Sequence, residues 1–324
     1  MSNFVIVILC YFFFVPVVLA LELGKCAETN SSDHDCEPSL VVEKATWFDD
    51  SRNYLGTSAD DLATWIDTFF SEPRSDIESA KSSLRLTYEN QWQEGDGSSE
   101  NIKLRGKIRL PGINKRLSLV LTDEEDNESG VGSDLNTLSS DSEDTQLSLQ
   151  YRARKGKRTR VDYGLGMRSS LKGKAKVRYR YQLPWSETTT HRVTETLYFV
   201  DGEGFGLRSR YEIDYVADDN RLVRWDKQAK VAEEIDGVES STRLSLAERL
   251  SKQRAVSVFS WVNGETRPQT LTKSYGVGLL FRRNFYRPWL FLEVEPAYAW
   301  RRESVELSRN GAWLFAFRLE MMID

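Results

Sequence analysis

From Ser83 to the C-terminus, residues of opposite character alternate one by one, and no other feature narrows the fold as much. Leu84, Leu86, Tyr88 and Trp92 share one phase, with Arg85, Thr87, Glu89 and Gln91 on the other. A period of two marks an extended strand whose two faces meet different surroundings. Segment 101–110 sets Ile102, Leu104, Gly106 and Ile108 against Lys103, Arg105, Lys107 and Arg109. Segment 174–183 sets Ala175, Val177, Tyr179, Tyr181 and Leu183 against Lys174, Lys176, Arg178, Arg180 and Gln182. Four cations on one strand face cannot form a dry core.

A soluble sandwich alternates too, so segment length has to separate the cases. About fourteen segments occur, with twelve as the alternative count: 84–92, 101–110, 115–123, 146–154, 159–169, 174–183, 191–201, 204–215, 221–232, 241–250, 254–263, 273–284, 288–299 and 311–322. Soluble strands average about 5 to 6 residues, whereas a tilted membrane strand needs about 9 to 11. The expected fold class is all-β, a closed antiparallel transmembrane β-barrel over 83–324. With the N-terminus periplasmic, connections 124–145, 233–240, 264–272 and 300–310 fall outside, where longer loops belong. The inside connections 111–114, 155–158, 251–253 and 285–287 are short; 184–190 is longer than the rule prefers.

Ahead of the barrel, residues 1–20 read as a signal peptide: an apolar run from Phe4 to Leu19 ends in Val18-Leu19-Ala20. No Lys or Arg precedes that run, which leaves an uncleaved anchor as the alternative. Residues 21–82 form a periplasmic extension, polar and Ser-rich up to 57. Within it Leu62, Trp65, Ile66 and Phe69 recur at helical spacing behind Ser58, predicting an amphipathic helix near 60–70 that Pro73 ends. Four large apolar side chains need cover, and the periplasmic mouth of the same barrel is the nearest candidate. Cys10 leaves with the signal; Cys26 and Cys36, in a polar segment of an oxidising compartment, are expected to form a local disulfide, with two unpaired thiols as the alternative.

The net charge of −5 is unevenly spread. Nine acids between Asp123 and Asp144 have no cation among them, so this connection is expected to be a solvated outer loop. Its carboxylates suit divalent cations, but the fixed spacing of a calcium loop is missing. The cationic strand phases, Lys103, Arg105, Lys107, Arg109, Lys174, Lys176, Arg178 and Arg180, are the candidate lumen lining. Glu293 and Glu295 share one strand face that should point into the lumen alongside Arg282, Arg318 and Glu320, where they are expected to neutralise cations, with proton chemistry as the alternative. The apolar phase, including Leu104, Ile108, Val177, Tyr179, Leu279, Leu292 and Phe317, should face lipid. Trp92, Trp185, Trp225, Trp261, Trp289, Trp300 and Trp313, with Tyr286 and Tyr298, read as interfacial girdles.

Rings of cations favour anions in pores, so the first functional reading is an outer-membrane channel with a basic lumen for small anionic solutes. Glu89, Asp162, Glu212 and Asp214 hold the same phase, and long paired side chains could instead fill the lumen. That gives the alternative: a non-conducting envelope scaffold or a surface-binding barrel. A membrane-embedded hydrolase is a distant third, because the only histidines are His34 in the extension and His191 at a strand start, with Ser186 nearby in sequence. Gly202, Gly204 and Gly206 fit a hairpin turn rather than a nucleotide loop. The chain carries no Walker sequence, no zinc spacing and no Cys-x-x-Cys. No enzyme activity, cofactor, metal or nucleic acid is expected; the partners are outer-membrane lipid, lipopolysaccharide and the barrel-assembly machinery, with oligomeric state open.

Trp313, Phe315, Phe317, Leu319, Met321 and Ile323 at period two resemble the C-terminal assembly signal of outer-membrane proteins, although Asp324 stands where an aromatic residue is usual. The run Arg282 to Phe291 followed by Glu293-Val294-Glu295-Pro296, with Thr196-Leu197-Tyr198-Phe199 leading to Asp201-Gly202-Glu203-Gly204-Phe205-Gly206, resembles an uncharacterised family of proteobacterial outer-membrane β-barrel proteins. The likeness spans roughly residues 60 to 324. It implies the barrel and the Gram-negative cell outer membrane, and it brings no activity or site.

Overall fold

The structure is a computed structural model that describes residues 61–70, 82–110, 116–122, 146–156, 158–168 and 171–323. The expected signal peptide, the three cysteines, the polar part of the extension, Pro73 and the acidic connection 124–145 lie outside these residues.

Fourteen strands follow one another: β1 (Ser83–Gln93), β2 (Gly97–Arg109), β3 (Leu117–Thr122), β4 (Gln146–Lys155), β5 (Thr159–Arg168), β6 (Gly173–Pro184), β7 (Thr189–Val200), β8 (Gly204–Asp218), β9 (Arg221–Ala232), β10 (Glu239–Ser251), β11 (Arg254–Glu265), β12 (Leu271–Asn284), β13 (Leu290–Arg301) and β14 (Asn310–Ile323). Each pairs antiparallel with its sequence neighbours. β1 closes on β14 through ten successive partners, from Leu84↔Ile323 to Gln93↔Leu314. The count is fourteen rather than twelve, and closure leaves no sheet edge. β2 begins four residues earlier than its alternation suggests. The reason is a tight hairpin: Gly95 and Gly97 take φ of 91° and 90°, so pairing with β1 resumes at once.

The period of two works as the sequence implies. On β13, Phe291, Glu293, Glu295, Ala297 and Ala299 are buried in the barrel, while the residues between them are half-buried and turn outward. Outward positions are apolar on strand after strand; Ile108, Val177, Tyr179 and Leu279 are exposed, Val177 at 38%, and Leu104, Leu292 and Phe317 are half-buried on the same face. Connections alternate between two ends. One end carries the two-residue turns 219–220 and 252–253, and the other carries the longer 233–238, 266–270 and 302–309; these are called the short-turn and long-loop ends.

Among the described residues, one helix, α1 (61–69), precedes the barrel. Its Leu62, Ile66 and Phe69 are buried as their spacing requires, against a ring of inward apolar residues at the short-turn end: Leu222, Ala247, Ala255, Leu280 and Phe291. Phe69 meets Phe291 edge-on, with ring centroids 5.8 Å apart. Trp65 stacks on Phe69 at 4.7 Å, and the Arg249 guanidinium covers Trp65 at 5.2 Å. The helix is therefore lodged in one mouth of its own barrel.

Candidate functional site

The lumen is where charge is concentrated, and strand register decides which charges meet. Arg318 on β14 stands between Glu89 of β1 and Glu293 of β13 in direct register. Its Nε donates to Glu89 at 2.5 Å, and its Nη1 donates to Glu293 at 2.5 Å and to Glu295 at 2.6 Å. Arg282 bridges Glu293 at 3.0 Å and Glu320 at 2.6 Å, and Arg85 reaches Glu320 at 2.7 Å. Lys103 joins through Glu89 at 3.0 Å. Glu295 is fully buried, so a carboxylate here needs the cations around it.

A second network crosses β7, β8 and β9. Arg224 forks onto Asp214 at 2.6 and 3.0 Å and reaches Asp67 of α1 at 2.6 Å. Arg210 binds Asp226 and lies 3.4 Å from Glu212, which Arg192 approaches at 3.6 Å.

The wall from β2 to β7 differs. Its buried cations are Lys107, Arg168, Lys174, Arg178, Arg180 and Arg192, and its only buried carboxylate among the described residues is Asp162. Arg160 and Arg152 flank Asp162 at 2.5 and 3.5 Å, and Arg160 stands opposite Arg180 in register. The rest of the described residues bury seven cations and eight carboxylates, Asp67 included. The lumen is thus split sideways into a cationic half and a balanced half.

All twelve candidate lumen residues take inward positions. Lys107, Lys174, Arg178, Arg180, Glu293, Glu295, Arg318 and Glu320 are buried, and Lys103, Arg105, Arg109 and Lys176 are half-buried. The structure gathers Glu293, Glu295, Arg318 and Glu320 into one network, which Lys103 of β2 joins through Glu89; the other β2 and β6 cations belong to the cationic half. Sequence reasoning missed Arg192, Arg208, Arg210, Arg224, Asp226 and Arg243, although each holds the inward phase of its strand.

Trp261 is a correction. It is no girdle residue: at 3% exposure it faces the lumen in phase with Phe259 and Ala255. Gly278 makes room for the adjacent ring, since a Cβ there would stand 2.5 Å from Phe259. Arg243 covers Phe259 at 3.9 Å. Trp92, Trp185, Trp225, Trp289 and Trp313 are exposed.

At the long-loop end a small cleft is lined by Arg168, Lys174, Thr196, Tyr198, Glu203, Arg208, Lys230 and Glu234. Glu203 is shared by Arg168 at 2.8 Å and Lys172 at 2.9 Å. Gly202 and Gly204, with φ of 80° and 88°, form the hairpin that carries Glu203. His191 sits on the outward face with its Nδ1 2.6 Å from the Tyr211 hydroxyl and Trp185 edge-on. Ser186 Oγ instead meets Thr188 Oγ1 at 3.4 Å.

No protein-family model matches the chain, and no curated protein sequence matches it. Among solved structures it is similar to the KdgM porin in complex with disordered oligogalacturonate, at 7% identity and a TM-score of 0.38 over 74% of this chain and 99% of that one. It is also similar to a loop-deletion form of OmpT, an outer membrane protein of Vibrio cholerae, at 10% identity and 0.44 over 75% and 98%. Pseudomonas aeruginosa OccK11 gives 9% and 0.44 over 75% and 95%. Likeness at this level carries no residue role across.

Proposed function

We propose that this chain spans the outer membrane of a Gram-negative envelope and conducts small anionic solutes past its cationic wall. The observation that carries the reading is the sideways split of buried charge, with six cations against one carboxylate from β2 to β7 and near balance elsewhere. α1 docks on the balanced side, against β9 to β13, and not on the cationic wall. Cationic linings favour anions. The membrane placement is supported by strand length, by closure and by the outward apolar band, which in water would be an aggregation hazard. Lipid, lipopolysaccharide and the assembly machinery are the partners this placement requires.

The test is the zero-current potential of the reconstituted protein in a planar bilayer under a salt gradient. Chloride preference, reduced by combined Lys174→Gln and Arg178→Gln substitution, supports the reading; cation preference or silence overturns it. One observation favours the rival, non-conducting barrel: α1 occupies the short-turn mouth and its cover is apolar as well as ionic.

A further inference from the structure

Through the middle of the barrel wall, outward positions are apolar, aromatic or small. β6 presents Val177 and Tyr179 there, and β13 presents Leu292 and Val294. Two charged residues break the rule. Glu195 is at the centre of β7, between outward Val193 and Leu197, and Lys227 is at the centre of β9, between outward Trp225 and Ala229. Among the described residues, the other outward charges within strands, such as Glu100, Glu248, Lys273 and Arg283, stand within four positions of a strand end.

The two are neighbours across β8. Glu195 is in register with Ser209, and Lys227 with Tyr211. Glu195 accepts the Ser209 hydroxyl at 2.6 Å. Two strand spacings and a two-residue offset along the strand, about 12 Å in all, separate Glu195 and Lys227. They do not pair with each other, and Lys227 is exposed. A charge facing lipid at mid-depth is strongly disfavoured, so such positions mark a surface covered by protein.

We propose that the outward face of β7, β8 and β9 is the contact between two copies of this chain in the membrane, Glu195 of each against Lys227 of the other. Symmetry supplies the argument for a second copy. A two-fold axis parallel to the barrel axis and passing beside β8 sets β7 of one copy opposite β9 of the other, since the rotation exchanges left and right. The surface is therefore complementary to itself: one anion and one cation on either side of the axis form two intermolecular ion pairs. Ser209 and Tyr211 lie on β8 between them, their hydroxyls bonded to Glu195 and His191 of the same copy, and Leu197, Leu207 and Val231 provide an apolar flank.

The inference rests on the membrane placement proposed above and not on conduction. A silent barrel that dimerises leaves it standing, whereas a conducting monomer overturns it and leaves the channel intact. The test is the mass of the full chain in lipid nanodiscs, with heat-modifiable gel migration as the check on folding. Wild type should be dimeric. Lys227→Glu and Glu195→Lys should each weaken the dimer at least tenfold, and the double reversal should restore it. Where a reversal does not fold, Lys227→Gln and Glu195→Gln replace it, and each should shift the population toward monomer. A folded wild-type monomer, a dimer indifferent to these changes, or a complex whose mass is not twice the chain overturns the proposal.

Discussion

Asp67 on α1 and Arg224 on β9, 157 residues apart in sequence, meet in a buried ion pair at 2.6 Å. The same guanidinium holds Asp214, so α1 is tied to a group already fixed in the wall.

Asp67→Ala should loosen the helix without unfolding the barrel, because Arg224 keeps its fork on Asp214. Loss of one charged hydrogen bond amounts to about 1.5 to 3 kcal/mol. The measurement is labelling of Ala63→Cys by a water-soluble maleimide, in a chain whose native cysteines are serine. Ala63 is buried, so labelling should be slow beside Asp67 and at least tenfold faster in Asp67→Ala; equal rates would show that the pair does not hold the helix.

Arg318→Met should be among the most damaging single changes in the lumen. It leaves Glu89, Glu293 and Glu295 buried without the cation they share, at a cost of about 3 to 5 kcal/mol. Glu295→Gln should cost much less, since Arg318 retains the other two. Urea unfolding of the refolded barrel ranks the two, and a reversed order would show that the network is not organised around Arg318.

Val177→Arg places a cation on the outward face near the centre of β6 and should cost about 2 to 4 kcal/mol in lipid. Lys176→Ser, one residue away and inward, should leave folding nearly unchanged. Refolding yields into vesicles compare them, and equal losses would invert the assignment of faces.

Gly278→Ala should overpack the aromatic side of the lumen. The new methyl would meet Phe259 at 2.5 Å and Ala297 at 3.0 Å, and Arg243 already covers the other face of that ring. A penalty of about 1 to 3 kcal/mol is expected in the same urea assay. A neutral outcome would mean that Phe259 has room to move.

Phase was the legible quantity. Alternation over 174–183 or 288–299 tells which residues share a face, and in a closed barrel one face turns inward. Trp261 was misread because its place near a strand end was weighed above its phase, which it shares with Ala255, Ser257 and Phe259. The seat of α1 was written in the sequence only thinly: Leu222, Ala247, Ala255, Leu280 and Phe291 are apolar residues in a polar phase, one per strand on five successive strands. Each alone resembles an accident. Only the register that brings them to one end turns them into a surface.

The pairing of β1 with β14 joins residues more than two hundred positions apart, as in Arg85 and Glu320. Until the last strand is delivered, the first has an open row of backbone donors and acceptors that lipid cannot satisfy. In the membrane setting proposed above the chain would have no stable inserted half: a nascent sheet of thirteen strands carries two sticky edges, liable to pair with any other strand. The β1–β14 pairing is the most non-local in the sheet and needs every strand between them. A truncation of a dozen residues at the C-terminus should therefore abolish insertion altogether, where the same loss from a soluble sandwich would trim one edge.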